Sequence, residues 1–389
     1  MSLVRFDPKS DVRIQTDKIV TSTWSDNTNN LQSVYTSSQQ TFTSATSSAQ
    51  FYLNVYHKST DPSFYTLTET TDQHEDAEPQ FSCGYGNRLG SGSPDFTNDT
   101  GSMGNSATKT IYSQYQSLVY GDDTTKFTFG THTPEDIYII NIARSRFKQA
   151  LKPGSLNLVL SCSLYNNWDN ESGTNTGAPS VGDGSHKLHK FTDDSVSNSG
   201  SAVMTKVGRQ YNIVSGANGI QSGSFITQQG GSSSYGLFYP DAGFIILNPD
   251  MFGYALGTDG GLRPQKNQGL TDNSDKNNEK LFQAIAQPTY GVEISPGAST
   301  FILDSEEDVS SQYYFARARN YEFNYTNNST FVDGNGVLKY SSMIDNPKVY
   351  ITTVGLYNDN MDLLAVAKLS QPIAKDITKE ALIRIKLDY

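Results

Sequence analysis

The side chains best suited to metal binding or nucleophilic chemistry are few: His57, His74, His132, His186, His189, Cys83 and Cys162. His186 and His189 form the one close pair, with Asp183 before them and Asp193-Asp194 after. A spacing of three would put two imidazoles on one helix face. The stretch Gly182-Asp183-Gly184-Ser185 is not helical in character, and on a strand the two rings would point to opposite sides. Two solvent-exposed loop histidines are therefore the expected reading, with a metal site as the alternative. The run His74-Glu75-Asp76-Ala77-Glu78 lacks the turn-forming Gly of an oxygen-ligand loop, so it reads as a solvated charge run. Asp272-Asn273-Ser274-Asp275 and Glu306-Glu307-Asp308 read the same way, or as helix N-termini. Cys83 and Cys162 have no Cys-x-x-Cys partner and are expected to be small buried residues. Gly231-Ser232-Ser233-Ser234-Tyr235-Gly236 misses the Gly-x-Ser-x-Gly spacing of a nucleophile elbow. No phosphate loop or dinucleotide fingerprint is present, and no carboxylate pair is nominated for glycoside hydrolysis. No catalytic, cofactor-binding or metal-binding residue is assigned, no cofactor is implied, and the chain is expected not to be an enzyme.

Composition narrows the class further. Of 389 residues, 29 are Lys or Arg and 40 Asp or Glu, a net charge of −11. Charged residues make up 18% and hydrophobic ones 35%, against about 25% and 45–50% (the latter counted with Gly) in an average domain. Ser, Thr, Asn, Gln and Gly fill the gap. The 23 Tyr and 19 Phe supply enough apolar burial to argue against disorder of the whole chain. An acidic balance with no basic block argues against a nucleic-acid partner, and no apolar run approaches the ~20 residues of a membrane span. The start, Met1-Ser2-Leu3-Val4-Arg5-Phe6-Asp7, has no basic and apolar leader pattern. Two cysteines fit a reducing cytoplasm, and the sequons at Asn98, Asn170, Asn327 and Asn328 are expected to carry no glycan.

These residues must be positioned by mostly extended elements. Alternation predicts strands over 11–16, 18–24, 51–57, 156–161, 211–216, 236–239, 243–248, 313–319 and 321–325. Thr133-Pro134-Glu135-Asp136 looks like a helix start, and Ile137, Ile140, Arg144, Phe147 and Leu151 follow at helical spacing. That predicts one amphipathic helix at 134–151, stopped by Pro153-Gly154. Its Arg144/Arg146/Lys148 face is read as solvated, or as pairing with acid on a neighbour. A weaker helix is expected at about 275–286. Residues 59–110 read as one long polar loop, a length that usually signals function or contact, and 165–235 as mostly polar loops. At the C-terminus, 348–357 and 363–369 predict a hairpin around the five-residue turn 358–362, and 380–389 alternates as a last strand.

Two groups of segments carry a family resemblance. One is Ile142-Ala143-Arg144-Ser145-Arg146-Phe147-Lys148-Gln149-Ala150-Leu151-Lys152-Pro153-Gly154-Ser155-Leu156-Asn157-Leu158, with Phe191-Thr192-Asp193-Asp194-Ser195, Tyr211-Asn212-Ile213-Val214-Ser215-Gly216 and Tyr235-Gly236-Leu237-Phe238-Tyr239-Pro240. The other runs from Pro347-Lys348-Val349-Tyr350-Ile351-Thr352-Thr353-Val354-Gly355-Leu356-Tyr357-Asn358-Asp359 through Leu363-Leu364-Ala365-Val366-Ala367-Lys368-Leu369-Ser370. In these patches of residues 135–389 the chain resembles virion structural proteins of contractile-tailed bacteriophages, especially marine and cyanobacterial myoviruses. They are packing and turn motifs, so they imply a family without naming a site. The resemblance implies a non-enzymatic subunit of the tail or baseplate, with the neck or head–tail connector as the alternative. It also implies assembly in the host cytoplasm into the virion, in multiple copies against other virion structural proteins.

The expected architecture is mainly β (α+β): antiparallel sheets or a sandwich, with the packed helix near 134–151 and long polar loops. Residues 1–50 are expected to form an extended N-terminal arm, either docked on a neighbour or a loose terminus. Residues 51–161 together with 341–389 form the expected main β domain, and 162–340 a β-rich insertion. A glycan- or receptor-binding tail protein is a competing reading, lowered by having only Trp24 and Trp168 as sugar platforms. A polysaccharide hydrolase has only β-richness and acidity behind it.

Overall fold

The computed structural model describes residues 4–24, 27, 29–31, 35–36, 41–43, 52–56, 64–70, 78–92, 107–162, 187–197, 202–222, 226–228, 231–252, 262, 264, 277–286, 301–326 and 328–388. The fold is mainly β, and its strand pairings are antiparallel throughout the registers described. By contact the chain divides into two compact units, Val20–Glu307 and a second built from Met1–Ile19 with Asp308–Tyr389. This differs from the expected division, because residues 341–389 group with the N-terminal strand and 308–340 rather than with 51–161.

The larger unit holds one long sheet. Its strand order is Asn30–Leu31, Phe301–Ile302, Asn157–Cys162, Lys187–Asp193, Gly208–Ala217, Gly236–Tyr239, Phe244–Leu247, Asp136–Ile142, Glu78–Asn87, Phe64–Thr70, Tyr52–Tyr56, Thr41–Thr43 and Tyr35–Thr36. The middle is hydrophobic on both sides. On one face Ile137, Ile139, Leu237, Tyr239, Phe244 and Ile246 pack with Ile111, Tyr112, Tyr115 and Val119 of the helix Ala107–Tyr120. On the other, Tyr138, Ile140, Ile142, Phe238, Ile245 and Leu247 join Trp24, Phe81 and Phe301, and Leu281 and Ile285 of the helix Asn277–Ala286. That second helix lies where the sequence predicts it.

The expected helix at 134–151 is a strand instead. Asp136–Ile142 pairs with Phe244–Leu247 on one side and Glu78–Asn87 on the other, and Arg144–Arg146 is a single tight turn before the short strand Ala150–Leu151. The run Ile-Tyr-Ile-Ile-Asn-Ile is rich in β-branched side chains, which fit a pleated surface better than a helix. Because both faces are covered, no polar alternation betrays the strand.

The stretch 59–110 is not one loop. Its described parts form the strands Phe64–Thr70 and Glu78–Asn87 and the start of the helix Ala107–Tyr120. Gly86 lets that helix lie close, since a Cβ there would sit 2.9 Å from the backbone N of Tyr112. Within 165–235, the strands Lys187–Asp193 and Gly208–Ala217 are longer than the loops and short strand expected. Pro240-Asp241-Ala242-Gly243 closes a tight turn, with the Gly243 N–H donating to the Tyr239 carbonyl at 2.9 Å. Gly243 has φ +77, and a Cβ there would strike the Phe147 ring.

In the smaller unit the strand Asp304–Ala318 contributes from Asp308 onward. It pairs with Ala381–Asp388 from Ser311↔Asp388 to Ala318↔Ala381. The N-terminal strand Val12–Ser22, one strand where two were predicted, lies along its other edge. The Phe315 N–H donates to the Asp11 carbonyl at 2.8 Å, and Lys18 approaches Asp308 at 3.7 Å. The described N-terminal residues are thus paired within the chain, not held out as an arm. The hairpin Val349–Tyr357 and Leu363–Lys375 forms around residues 358–362 as predicted. Leu356, Ile383 and Ile385 form the buried centre, with Phe6, Tyr314, Val354 and Leu369 packed around them. Residues 321–325, predicted as a strand, are turn and bend.

Candidate functional site

The sequence candidates that fall among the described residues make structural contacts. Cys83 and Cys162 are free and fully buried, and desolvation pushes both thiols far up from their ordinary range, so neither is poised as a thiolate. His189 lies on the strand Lys187–Asp193, its ring 6.4 Å from that of Phe191. Asp193 faces away from metal chemistry: its carboxylate accepts the Gly154 N–H at 2.9 Å and the Ser195 N–H at 3.1 Å. Burial raises its pKa in spite of those bonds. Asp194 accepts from the Asn212 backbone N–H at 2.9 Å and from its amide at 3.0 Å. Among the described residues no group of three or more His, Cys, Asp or Glu is placed to hold a metal ion. His57, His74, His186, Asp183, Glu75, Asp76, Asp272–Asp275, Trp168 and the sequon residues Asn98, Asn170 and Asn327 lie outside the described residues.

The acidic run Glu306-Glu307-Asp308 is neither a helix start nor a metal cage. It lies on the strand Asp304–Ala318, and each carboxylate meets a cation: Glu306 meets Arg209 at 3.0 Å, Glu307 meets Lys148, and Asp308 meets Lys18. Arg209 also grips Asp241, with Nη2 2.6 Å and Nε 3.0 Å from Oδ1. Of the expected basic face, Lys148 is therefore paired within the chain. Arg144 stacks 4.6 Å above the Phe147 ring centroid and donates to the carbonyls of Phe147 and Lys148.

A polar group that sequence spacing does not reveal gathers at the start of the central strand. Asp136 is buried and accepts from the Tyr85 hydroxyl at 3.2 Å, and the Tyr138 hydroxyl donates to the Leu262 carbonyl at 2.8 Å. Burial, with the Asp136 charge nearby, raises both phenols well above their ordinary range. Next to it Glu135 accepts from Arg88 and, at 2.5 Å, from Lys126. Burial works to raise the Glu135 carboxyl, and the two cations outweigh it, so the net shift is downward. His132 Nε2 lies 2.9 Å from Asp250 Oδ2, joining residues 118 apart in sequence. These contacts pin the 121–135 segment and the turn Pro249–Met251 to the sheet. Their chemistry is that of a clamp, with charges neutralised in pairs.

The surface of the smaller unit offers a different kind of site. In the hairpin Val349–Lys375, the inward side chains Val354, Leu356, Ala365 and Ala367 pack on Ile383 and Ile385. Several outward ones are also apolar, with Tyr350 64% exposed, Leu364 69% and Val366 57%, and the exposed pair Thr353 and Lys368 lies between Tyr350 and Val366. Leu363 and the Tyr357 ring close over Gly355, where a Cβ would meet them at 3.3 and 2.9 Å. Tyr350, Leu363, Leu364 and Val366 are thus large apolar side chains open to solvent on one hairpin. The sequence carried a sign of this: Leu363-Leu364-Ala365-Val366-Ala367 is apolar at every position, the pattern of a strand covered on both sides. Trp24, one of the two candidate sugar platforms, is 2% exposed and donates its indole N–H to the Phe301 carbonyl at 3.1 Å.

No family model, no curated protein and no solved structure matches the chain.

Proposed function

We infer that the protein is a non-enzymatic structural subunit of a contractile-tailed bacteriophage virion, acting through protein–protein contacts in the tail or baseplate. The neck or head–tail connector is the alternative position. The observation that carries this reading is the open apolar face of the hairpin Val349–Lys375, which lies in a segment that resembles such proteins. A side chain such as Leu364 gains by leaving water only when a partner covers it. The ion pairs and polar clusters described above support the same reading, since they neutralise charge inside the chain instead of aiming it at a substrate. The burial of Trp24 counts against a glycan-binding role.

The test is made on particles. Purified virions are analysed by mass spectrometry for this chain, and limited proteolysis compares cleavage within 349–375 in the particle and in the free protein. The expected result is a stoichiometric virion component whose hairpin is protected in the particle. A chain missing from purified particles, or a hairpin cut equally fast in both states, overturns the reading.

A further inference from the structure

We propose that Asn335 is a site of spontaneous covalent modification, where Asn335-Gly336 closes to a succinimide and reopens as aspartate and isoaspartate. The inference is independent of the assembly reading.

The reaction needs only the chain and water. Hydroxide draws the proton from the Gly336 backbone nitrogen, which attacks Cγ of Asn335 and forms a new C–N bond. The Cγ–Nδ2 bond breaks, and Nδ2 takes a proton from water and leaves as ammonia. A second water then opens the ring. Breaking the new bond to Cγ gives aspartate, and breaking the original peptide bond gives isoaspartate. The nitrogen must reach Cγ, which a following Gly permits because it carries no Cβ. The side-chain amide and the backbone must also be free to turn towards each other.

The sequence has two Asn-Gly pairs, at 218–219 and 335–336. Both glycines have positive φ, +74 and +82. The structure separates them. Asn218 is clamped by Asn157: its Oδ1 accepts from Asn157 Nδ2, and its backbone N–H donates to Asn157 Oδ1, both at 2.8 Å. The nitrogen that would attack, that of Gly219, donates to the buried Thr192 hydroxyl at 2.8 Å. Gly219 is itself buried, and a Cβ there would lie 2.8 Å from the Gly154 Cα. These partners are 61 and 27 residues away in sequence, so freeing the turn means opening the larger unit.

Asn335 and Gly336 are exposed at the tip of a short loop closed by the bridge Val332↔Leu338. A Cβ at Gly334 or Gly336 would meet nothing within 4 Å. The loop is tied mainly to its own Asp333. Asp333 Oδ1 accepts the N–H groups of Asn335 and Val337 at 2.9 and 2.8 Å, and its carbonyl accepts that of Gly336 at 3.1 Å. The Tyr325 hydroxyl also donates to the Gly336 carbonyl at 2.9 Å. Among the described residues the Asn335 side-chain amide has no hydrogen-bond partner. Local, solvent-exposed ties of this kind open without unfolding the unit. Conversion adds a carboxylate beside Asp333, and isoaspartate lengthens the main chain between the two N–H groups that Asp333 holds.

The experiment is peptide mapping by mass spectrometry after the full chain has aged in warm, mildly alkaline buffer made with heavy-oxygen water. Fragment ions locate each converted Asn, and incorporated heavy oxygen marks ring opening by solvent. The expected result is conversion of Asn335 at least about tenfold faster than Asn218 in the folded chain, with isoaspartate among the products. In strong urea the two should convert at similar rates. Gly336→Ala, whose methyl meets no neighbour, should slow Asn335, with thermal unfolding as the check on folding. An Asn335 that stays intact while the urea sample converts, equal rates at the two sites in the folded chain, or conversion undiminished in folded Gly336→Ala overturns the proposal.

Discussion

At the scale of the residue, the sequence singled out one histidine pair, and assigned it no site, for a physical reason. Spacing identifies only near neighbours, and His186 and His189 were neighbours, whereas His132 meets Asp250 across a sheet that only the fold brings together. The cysteines were legible, since isolated cysteines without a partner pattern are usually buried, and both are. Lys280 was not legible at all. It sits on the helix Asn277–Ala286, and burial lowers its pKa to about 8. Between that value and the ordinary lysine range the unfolded chain holds more protons than the folded one, so stability must rise as pH climbs through the window. Urea unfolding at about pH 7.5 and 9.5 should show wild type gaining about 2 kcal/mol. Lys280→Met should remove the gain, because no ammonium remains to be desolvated. An equal gain in the variant would assign the effect to another group.

At the scale of the element, legibility followed exposure. The hairpin Val349–Lys375 and the last strand Ala381–Asp388 were readable because a polar Asn/Asp turn marks one and strict alternation marks the other. The central strand Asp136–Ile142 was not, because burial on both faces removes the period, and Thr133-Pro134-Glu135-Asp136 mimics a helix cap. The helix Ala107–Tyr120 was hidden for the opposite reason. Its buried stripe is Ile111, Tyr112, Tyr115 and Val119, set among Thr, Ser and Gln that resemble the polar loop around them. Its seat on the sheet depends on the bare backbone at Gly86. Gly86→Ala would put a methyl against the backbone of Tyr112, which can yield only by moving the helix. The expected cost is about 2 kcal/mol by chemical unfolding. Gly334→Ala, where nothing lies within 4 Å, serves as the control and should change stability little. Equal stabilities would show that the helix shifts freely on the sheet.

At the scale of the whole molecule, the acidic composition belongs to one unit only. Residues 1–19 and 308–389 carry thirteen basic and twelve acidic side chains, a net of +1, which leaves 16 basic and 28 acidic on Val20–Glu307, a net of −12. Both tryptophans, Trp24 and Trp168, fall within Val20–Glu307, so tryptophan emission follows that unit alone. Salt screens its net −12, and the Debye length falls to about 10 Å at 0.1 M. Its melting temperature by tryptophan fluorescence should therefore rise by a few degrees between about 20 mM and 300 mM NaCl. A fall would mean that screened ion pairs such as Arg209–Asp241 outweigh the relieved repulsion. The division itself could not be read from composition, because the smaller unit is assembled from both ends of the chain. Asp11 and Phe315, hydrogen-bonded in that unit, are 304 residues apart (315 − 11). At a synthesis rate of about 5–20 residues per second, the strand Val12–Ser22 leaves the ribosome some 15–60 seconds before its partner exists. For that interval its backbone donors and acceptors are open, with Arg13, Asp17 and Lys18 interrupting Ile14, Ile19 and Val20. Ribosomes spaced along one message would hold several such strands side by side, and each Asp304–Ala318 segment then emerges among several identical candidates. The fidelity of the finished molecule is a race between the strand of its own chain, tethered nearby, and those of its siblings.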